Sequence, residues 1–309
     1  MGETMVAVRG LVKRYADTLA VNGITFEVSR GEIFALLGPN GSGKTSTLES
    51  LEGLRHPDGG SLSIAGIDPR RQPRKLRNII GVQLQTSALP AAMTVDEAMS
   101  FFSSYHGVPV RHDLVERLGL AEKRRAQYVK LSVGLQRRLA LAIAIAHDPQ
   151  VLFLDEPTAG LDVQSRADLH AIIGELRTKG TTVILATHDM AEAEKLADRA
   201  AILLRGEIAA MGSPRQLTAA GSRLTRISVS TENRRLQSGR VDFPDAVYKG
   251  QNDDYTLYVS EKPGKAVSAI IAWLEQAGDP LVDLRVERPS LEERFLEITS
   301  DTSMKGAMQ

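Results

Sequence analysis

The residues most able to do chemistry form one run, Gly38-Pro39-Asn40-Gly41-Ser42-Gly43-Lys44-Thr45. Four free positions separate Gly38 from Gly43-Lys44-Thr45, the spacing of a phosphate-binding loop. Glycines let a backbone turn tightly and bring its N–H groups against phosphate oxygens. Lys44 sets a positive charge on the outer phosphates, and Thr45 offers a hydroxyl to Mg²⁺. The pattern predicts a nucleoside triphosphate bound at the start of a helix, where the dipole favours anions.

Three further groups could act on that ligand. Asp155 and Glu156 end an apolar run that starts at Val151, a place where charge is costly unless it serves something. In phosphoryl transfer, Asp155 would hold Mg²⁺ through water and Glu156 would polarise the attacking water. The other reading is a pair of helix-capping acids before Pro157. His188, in Ala186-Thr187-His188-Asp189, follows a second apolar run and could donate to a γ-phosphate, or be an ordinary loop histidine. In Leu131-Ser132-Val133-Gly134-Leu135-Gln136, Ser132 is a natural N-cap and Gly134 permits close backbone approach. That segment reads as an anion-binding helix end or simply as a capped helix.

Positioning these groups requires strands that alternate with helices. Met5 to Arg9, Ile24 to Val28, Ile33 to Leu37, Val151 to Leu154 and Thr182 to Ala186 read as strands, with turn signals at Asp17 and Asn22-Gly23. Short strands follow around Leu62 and Ile64, and Ala200 to Leu204 with Glu207 to Met211 reads as a hairpin about Arg205-Gly206. Helices are predicted from Thr94 as cap through Tyr105, over Asp113 to Leu118, over Gly134 to His147 as a buried helix, over Val163 to Lys179 and over Met190 to Ala197. The alternation predicts an α/β fold, an open parallel sheet with ligands at the strand C-termini. A boundary is expected at Ser213-Pro214 and Ala219 to Ser222. Residues 1–218 then form the nucleotide-binding domain, with a helical insert at about 90–145, and residues 219–309 a small α+β domain. In the latter, Arg226 to Val229, Thr256 to Val259 and Leu281 to Val286 read as strands. Lys265 to Gln276 reads as an amphipathic helix with Val267, Ile270, Ile271 and Leu274 on one face, and Pro289 as the opening of a last helix through Ile298.

Composition narrows the function. The 309 residues carry 38 basic and 38 acidic side chains, a zero net charge that argues against nucleic acid as a partner. Cysteine is absent, which excludes disulfides, thiolate metal sites and thiol catalysis. No apolar run reaches the length of a membrane span, and Met1 to Val6 resembles neither a secretory signal nor a complete myristoylation site. The expectation is a soluble chain whose membrane role, if any, comes through a partner. Arg70 to Arg77 holds five basic residues and Glu122 to Lys130 four; both read as solvated faces, with anionic lipid headgroups as the other reading.

The order of these motifs resembles the ATP-binding-cassette (ABC) ATPases over residues 5–215. Leu131 to Leu135 resembles the family's signature sequence, which faces the γ-phosphate bound by the other subunit. Gln85, in Ile80-Gly81-Val82-Gln83-Leu84-Gln85, resembles the Q-loop glutamine that links Mg²⁺ and the attacking water to the membrane partner; Gln83 is a near neighbour, and the spacing favours Gln85. Ala159-Gly160-Leu161-Asp162 resembles the D-loop that crosses the dimer interface, His188 the switch histidine, and Tyr15 the aromatic residue stacked on adenine. Pro289 to Leu296 resembles the closing segment of the daunorubicin-resistance branch of drug and antibiotic exporters. The resemblance implies a P-loop core with an antiparallel β edge and a helical subdomain, ATP and Mg²⁺ as ligands, and two copies (a homodimer or heterodimer) sandwiching two ATP molecules. It further implies a separate transmembrane permease and a peripheral position on the cytoplasmic face of the cell membrane. One departure matters. Val133 stands where the signature has its first glycine, and Leu135 replaces a polar residue, so hydrolysis is expected to persist but to be slow. Two other functions fit the cassette: a soluble ATPase acting on ribosomes or DNA, and a regulator that senses ATP without hydrolysing it.

Overall fold

The computed structural model describes residues 2–85, 89–221, 224–237 and 240–306. It divides into two compact units, Met1–Pro214 and Arg215–Gln309. Ser222, expected at the boundary, lies outside the described residues.

The N-terminal unit opens with two long strands, β1 (Thr4–Tyr15) and β2 (Thr18–Ser29). Next come β3 (Ile33–Leu37), α1 (Lys44–Leu51) and β4 (Gly59–Ile64). Strands β1, β2 and β4 form an antiparallel sheet with β1 in the centre. The hairpin turns at Ala16-Asp17, and Asn22-Gly23 lies inside β2 instead of making a turn. The reason is tertiary. Register shifts along β1–β2 absorb the irregular residues as bulges, and Asn22 N donates to Gly206 O at 2.8 Å.

The chain continues through α2 (Pro73–Arg77), β5 (Ile80–Gln83), α3 (Val95–His106), α4 (His112–Arg117) and α5 (Val133–Ile145). It returns as β6 (Val151–Asp155), α6 (Val163–Thr178), β7 (Thr182–Thr187), α7 (Met190–Leu196), β8 (Arg199–Leu204) and β9 (Glu207–Gly212). Six strands form a second sheet in the order β5-β6-β7-β3-β8-β9, parallel except for the edge strand β9. Every residue of β3, β6 and β7 is buried, as expected of central strands covered on both faces. Alternation along those strands splits the core. Phe34, Leu36 and Phe153 pack towards the three-stranded sheet, and Ile33, Leu152 and Leu154 towards Leu139 of α5 and Ile173 of α6.

Local chemistry sets the helix ends. Thr94 and Glu97 form a capping box at the start of α3, and Gly107 closes it in the left-handed conformation. Helix α5 is buried only in its C-terminal half; Ser132 and Val133 are exposed and the next turns half-exposed. The expectation of burial along its whole length is therefore corrected.

In the C-terminal unit, α8 (Pro214–Ala219) leads to β10 (Thr225–Thr231), β11 (Val247–Asn252), β12 (Tyr255–Ser260), α9 (Pro263–Ala277), β13 (Leu281–Glu287) and α10 (Leu291–Gly306). The four strands form an antiparallel sheet in the order β11-β12-β10-β13. Helix α9 covers one face with Ala266, Ile270 and Leu274, joined by Val267 and Trp273, against Ile227, Val229 and Tyr258. Trp273 takes the place in this core expected of Ile271. Pro289 lies two residues before α10, whose first turn is capped by Ser290: Glu293 N donates to its Oγ at 3.2 Å.

Candidate nucleotide-binding and hydrolysis site

The loop 38–43 leaves the C-terminal end of β3 and feeds α1. Two of its glycines are required by space. A Cβ on Gly38 would lie 2.4 Å from Leu203 O, and one on Gly43 would lie 2.5 Å from Ala20 O. Gly43 also has φ 104°, a conformation costly for any other residue. Gly206 N donates to Ser42 O at 3.1 Å, so the β8–β9 turn fastens the loop from outside. The loop is thus held between β2 and β8, and its N–H groups are presented at the start of α1.

Lys44 is 6% exposed. Its Nζ donates to Gly38 O at 2.8 Å and Pro39 O at 3.2 Å, and lies 4.0 Å from Glu156 Oε1. Burial pulls the Lys44 ammonium below its ordinary range, and the charges of Glu156 and Asp155 oppose that shift. Thr45 Oγ1 donates to Asp155 Oδ2 at 3.0 Å. Asp155 ends β6 at 4% exposure, and its other oxygen, Oδ1, is buried without a hydrogen-bond partner. Burial raises the Asp155 carboxyl above its usual value, the Thr45 bond lowers it, and neighbouring Glu156 raises it again. An unpaired buried carboxylate oxygen beside a hydroxyl suits a hard cation such as Mg²⁺, which binds through one or two carboxylates, water and phosphate.

Glu156 is 6% exposed and has φ 49°, a left-handed conformation rare outside glycine. Its N–H donates to Ala186 O at 2.9 Å, tying it to β7. Its Oε2 lies 2.8 Å from His188 Nδ1, and the His188 side chain is 60% exposed. The helix-capping alternative for the two acids is not what the fold builds: one faces Thr45 and the other His188. Five predicted residues therefore meet at the C-terminal ends of β3, β6 and β7: Lys44, Thr45, Asp155, Glu156 and His188.

The predicted residues outside the loop and this cluster, Tyr15, Gln85, Ser132, Gly134 and Asp162, make no hydrogen bond to it among the described residues. Tyr15 is half-buried at the end of β1, with Lys13 Nζ 5.3 Å and Arg55 Cζ 5.6 Å from its ring centroid. Gln85 is exposed, two residues beyond β5. Gln83, within β5 beside Leu154, is 1% exposed and neither atom of its amide finds a partner. Ser132 caps α5, its Oγ accepting from Leu135 N at 3.3 Å. A Cβ on Gly134 would meet nothing closer than Leu161 Cδ2 at 3.6 Å, so the chain's own packing does not demand glycine there. Asp162 caps α6, accepting from Ser165 N at 2.8 Å and Ser165 Oγ at 2.7 Å. Pro39, Asn40, Gly41 and Ser42 complete the loop, and Ser42 Oγ is buried without a partner.

Sequence reasoning missed Glu52. It lies just past α1 at 5% exposure, and burial, with Asp155 and Glu49 nearby, pushes its carboxyl up to about 8. Nothing local announces it, because its burial is created by the packing of α1 against the sheets.

Comparison with known proteins decides the family. The ABC transporter family model matches residues 21–159. A Nod factor export ATP-binding protein I from Burkholderia orbicola (strain AU 1054) is 42% identical over 215 residues, covering 68% of this chain and 71% of that protein. Daunorubicin resistance ATP-binding protein DrrA3 from Streptomyces coeruleorubidus is 32% identical and is covered almost end to end, 97% of this chain and 98% of the relative. The chain belongs to the ABC transporter family. Within that family it is an ATPase subunit. Among solved structures, an ATP-binding subunit of an ABC transporter aligns with TM-score 0.66 at 27% identity over 70% of this chain and 93% of that one. A cbiO1 subunit from Clostridium perfringens, part of an ABC transporter complex, aligns with TM-score 0.63 at 30% identity over 70% and 91%. No helix among the described residues is long and apolar enough to cross a membrane.

Proposed function

We propose that this subunit powers an exporter of drugs, antibiotics or lipids whose membrane-spanning permease is a separate chain, and that it works at the cytoplasmic face of the membrane. The observation that carries the reading is the cluster of buried Lys44, Asp155 and Glu156 with exposed Thr45 and His188 in one crevice at the strand C-termini. Thr45 and Asp155, with Gln85, would hold Mg²⁺, which supplies charge neutralisation at the phosphates. Lys44 and the loop N–H groups position the outer phosphates. Glu156 orients the attacking water, and His188, 2.8 Å from it, senses the γ-phosphate. Catalysis of this kind rests on positioning and electrostatics. Tyr15 would stack on adenine.

Two copies complete the site. Ser132 and Gly134 of one would face the phosphates held by the other, with Asp162 at the interface. The exposure of Ser132 and Val133 supports this reading. Closure on ATP draws the attached permeases together, and hydrolysis lets them part. The permease docks on an apolar groove of about 560 Å³ whose lining includes Leu54, Leu84, Phe102, Tyr105 and Ile143. Its apolar residues are partly open to solvent, Leu54 at 59% and Tyr105 at 57% exposure, and Leu84 continues directly into Gln85.

The test is capture of tagged Glu156→Gln protein with ATP from solubilised membranes. A stoichiometric multi-span protein is the expected companion. Recovery of ribosomes or DNA, with the protein wholly in the soluble fraction, would overturn the exporter reading.

A further inference from the structure

The C-terminal sheet ends in two unlike edges. On one side, β11 is blunted: Lys249 and Gly250 sit in its middle, and its register with β12 shifts between Tyr248 and Gly250. Such devices keep an edge from pairing with another strand. On the other side, β13 pairs with β10 without a shift from Glu287 back to Asp283 and has no strand on its outer side among the described residues. It is also apolar where it is open: Leu281 is 42%, Val282 62% and Val286 47% exposed. Leu284, between the two valines, packs into the core beneath α9. Val282 and Val286 share that face by strand alternation, beyond the reach of the helix.

The charges on β13 settle what fits against it. The sequence Leu281-Val282-Asp283-Leu284-Arg285-Val286-Glu287 is self-complementary about Leu284. If a second β13 is laid antiparallel with the two Leu284 residues on the dyad, Val282 falls opposite Val286 and Asp283 opposite Arg285 of the second copy, and the reverse holds across the axis. Opposite charges and apolar pairs directly across an antiparallel ladder are favourable, and an isologous contact uses every such pair twice. Asp283 and Arg285 are already fixed on one face. Tyr255 Oη donates to Asp283 Oδ2 at 2.6 Å, Arg285 Nε donates to the same oxygen at 2.8 Å, and the guanidinium lies 4.7 Å from the Tyr255 ring centroid.

We propose that β13 is a homodimerisation edge. Two copies of this chain join their C-terminal sheets into one eight-stranded sheet about a two-fold axis at Leu284, with no need for nucleotide. The contact concerns the C-terminal unit alone, so it stands or falls independently of the reading of the ATP site.

Charge swaps on the full-length chain test it, with oligomeric state read by sedimentation in nucleotide-free buffer. Wild type is expected to be dimeric. Arg285→Asp places acid against acid, Asp283→Arg places base against base, and each should weaken self-association on the order of 30-fold. Mixing the two variants restores both opposite-charge pairs and should give heterodimers, as should the double swap Asp283→Arg with Arg285→Asp give homodimers. Recovery on mixing could not come from variants that had failed to fold. A monomeric wild type, single variants that dimerise as wild type does, or a mixture no more associated than its components would each overturn the proposal.

Discussion

Replacing Glu52 by Gln should change how the stability of the N-terminal unit depends on pH. Glu52 is 5% exposed, its Oε2 has no hydrogen-bond partner, and its carboxyl is raised from 4.5 to about 8. A carboxyl raised on folding is protonated in the native state while the unfolded chain has already ionised. Stability is therefore complete below about pH 4.5, falls as pH rises towards 8, and is flat above it. At 1.36 kcal/mol per pKa unit the span amounts to about 5 kcal/mol at most, and about 2 to 5 kcal/mol once relaxation around a buried charge is allowed for. Gln has the same shape and no titration. It leaves an amide group in a poor environment, so at pH 5 the variant should match wild type or fall about 1 kcal/mol below it. At pH 9 it should exceed wild type by about 1 to 4 kcal/mol. Urea unfolding followed by far-UV circular dichroism across this range measures the difference. Trp273, the single tryptophan, lies in the C-terminal unit, so its fluorescence reports that unit separately. Parallel pH profiles for the two proteins would refute the reasoning.

Val133→Gly should raise ATP turnover severalfold, because a branched side chain, 56% exposed at the start of α5, is removed from the surface expected to meet the other subunit's phosphates; unchanged turnover would make the valine neutral. Leu54→Asp puts a charge on the apolar groove at a residue already 59% exposed. It should cut capture of the permease tenfold or more, by about 1.4 kcal/mol or above, and leave the basal ATPase rate of the isolated subunit intact. Equal capture of wild type and variant would place the permease elsewhere.

Much of the candidate site was legible because its chemistry sits in contiguous runs. Lys44 and Thr45 share a loop whose glycines announce its shape. Asp155-Glu156 and His188 each follow a strand apolar enough to be read as buried, and parallel strands deliver their C-terminal ends to one crevice. The capping box at Thr94 and Glu97 is likewise local. What escaped depends on distant neighbours. Asn22-Gly23 carries a turn signal, yet β1 and the Gly206 turn hold it in a strand. Strand β11, with Lys249 and Gly250 at an exposed edge, lacks apolar alternation and went unread. The N-terminal half of α5 carries Gln136, Arg137 and Arg138 and is open in the fold, while the apolar run from Leu139 to Ala146 alone carries the burial expected of the whole helix. Glu52 has ordinary helical surroundings in sequence and becomes a buried acid only when α1 packs against the sheets.

The central claim is that Glu156 orients the water that attacks ATP. The measurement that reaches it most directly is steady-state ATP hydrolysis by wild type and Glu156→Gln, with ATP affinity determined on the same preparations. The account predicts a fall in turnover of about 100-fold or more with ATP binding retained. A variant that hydrolyses ATP at the wild-type rate would contradict it.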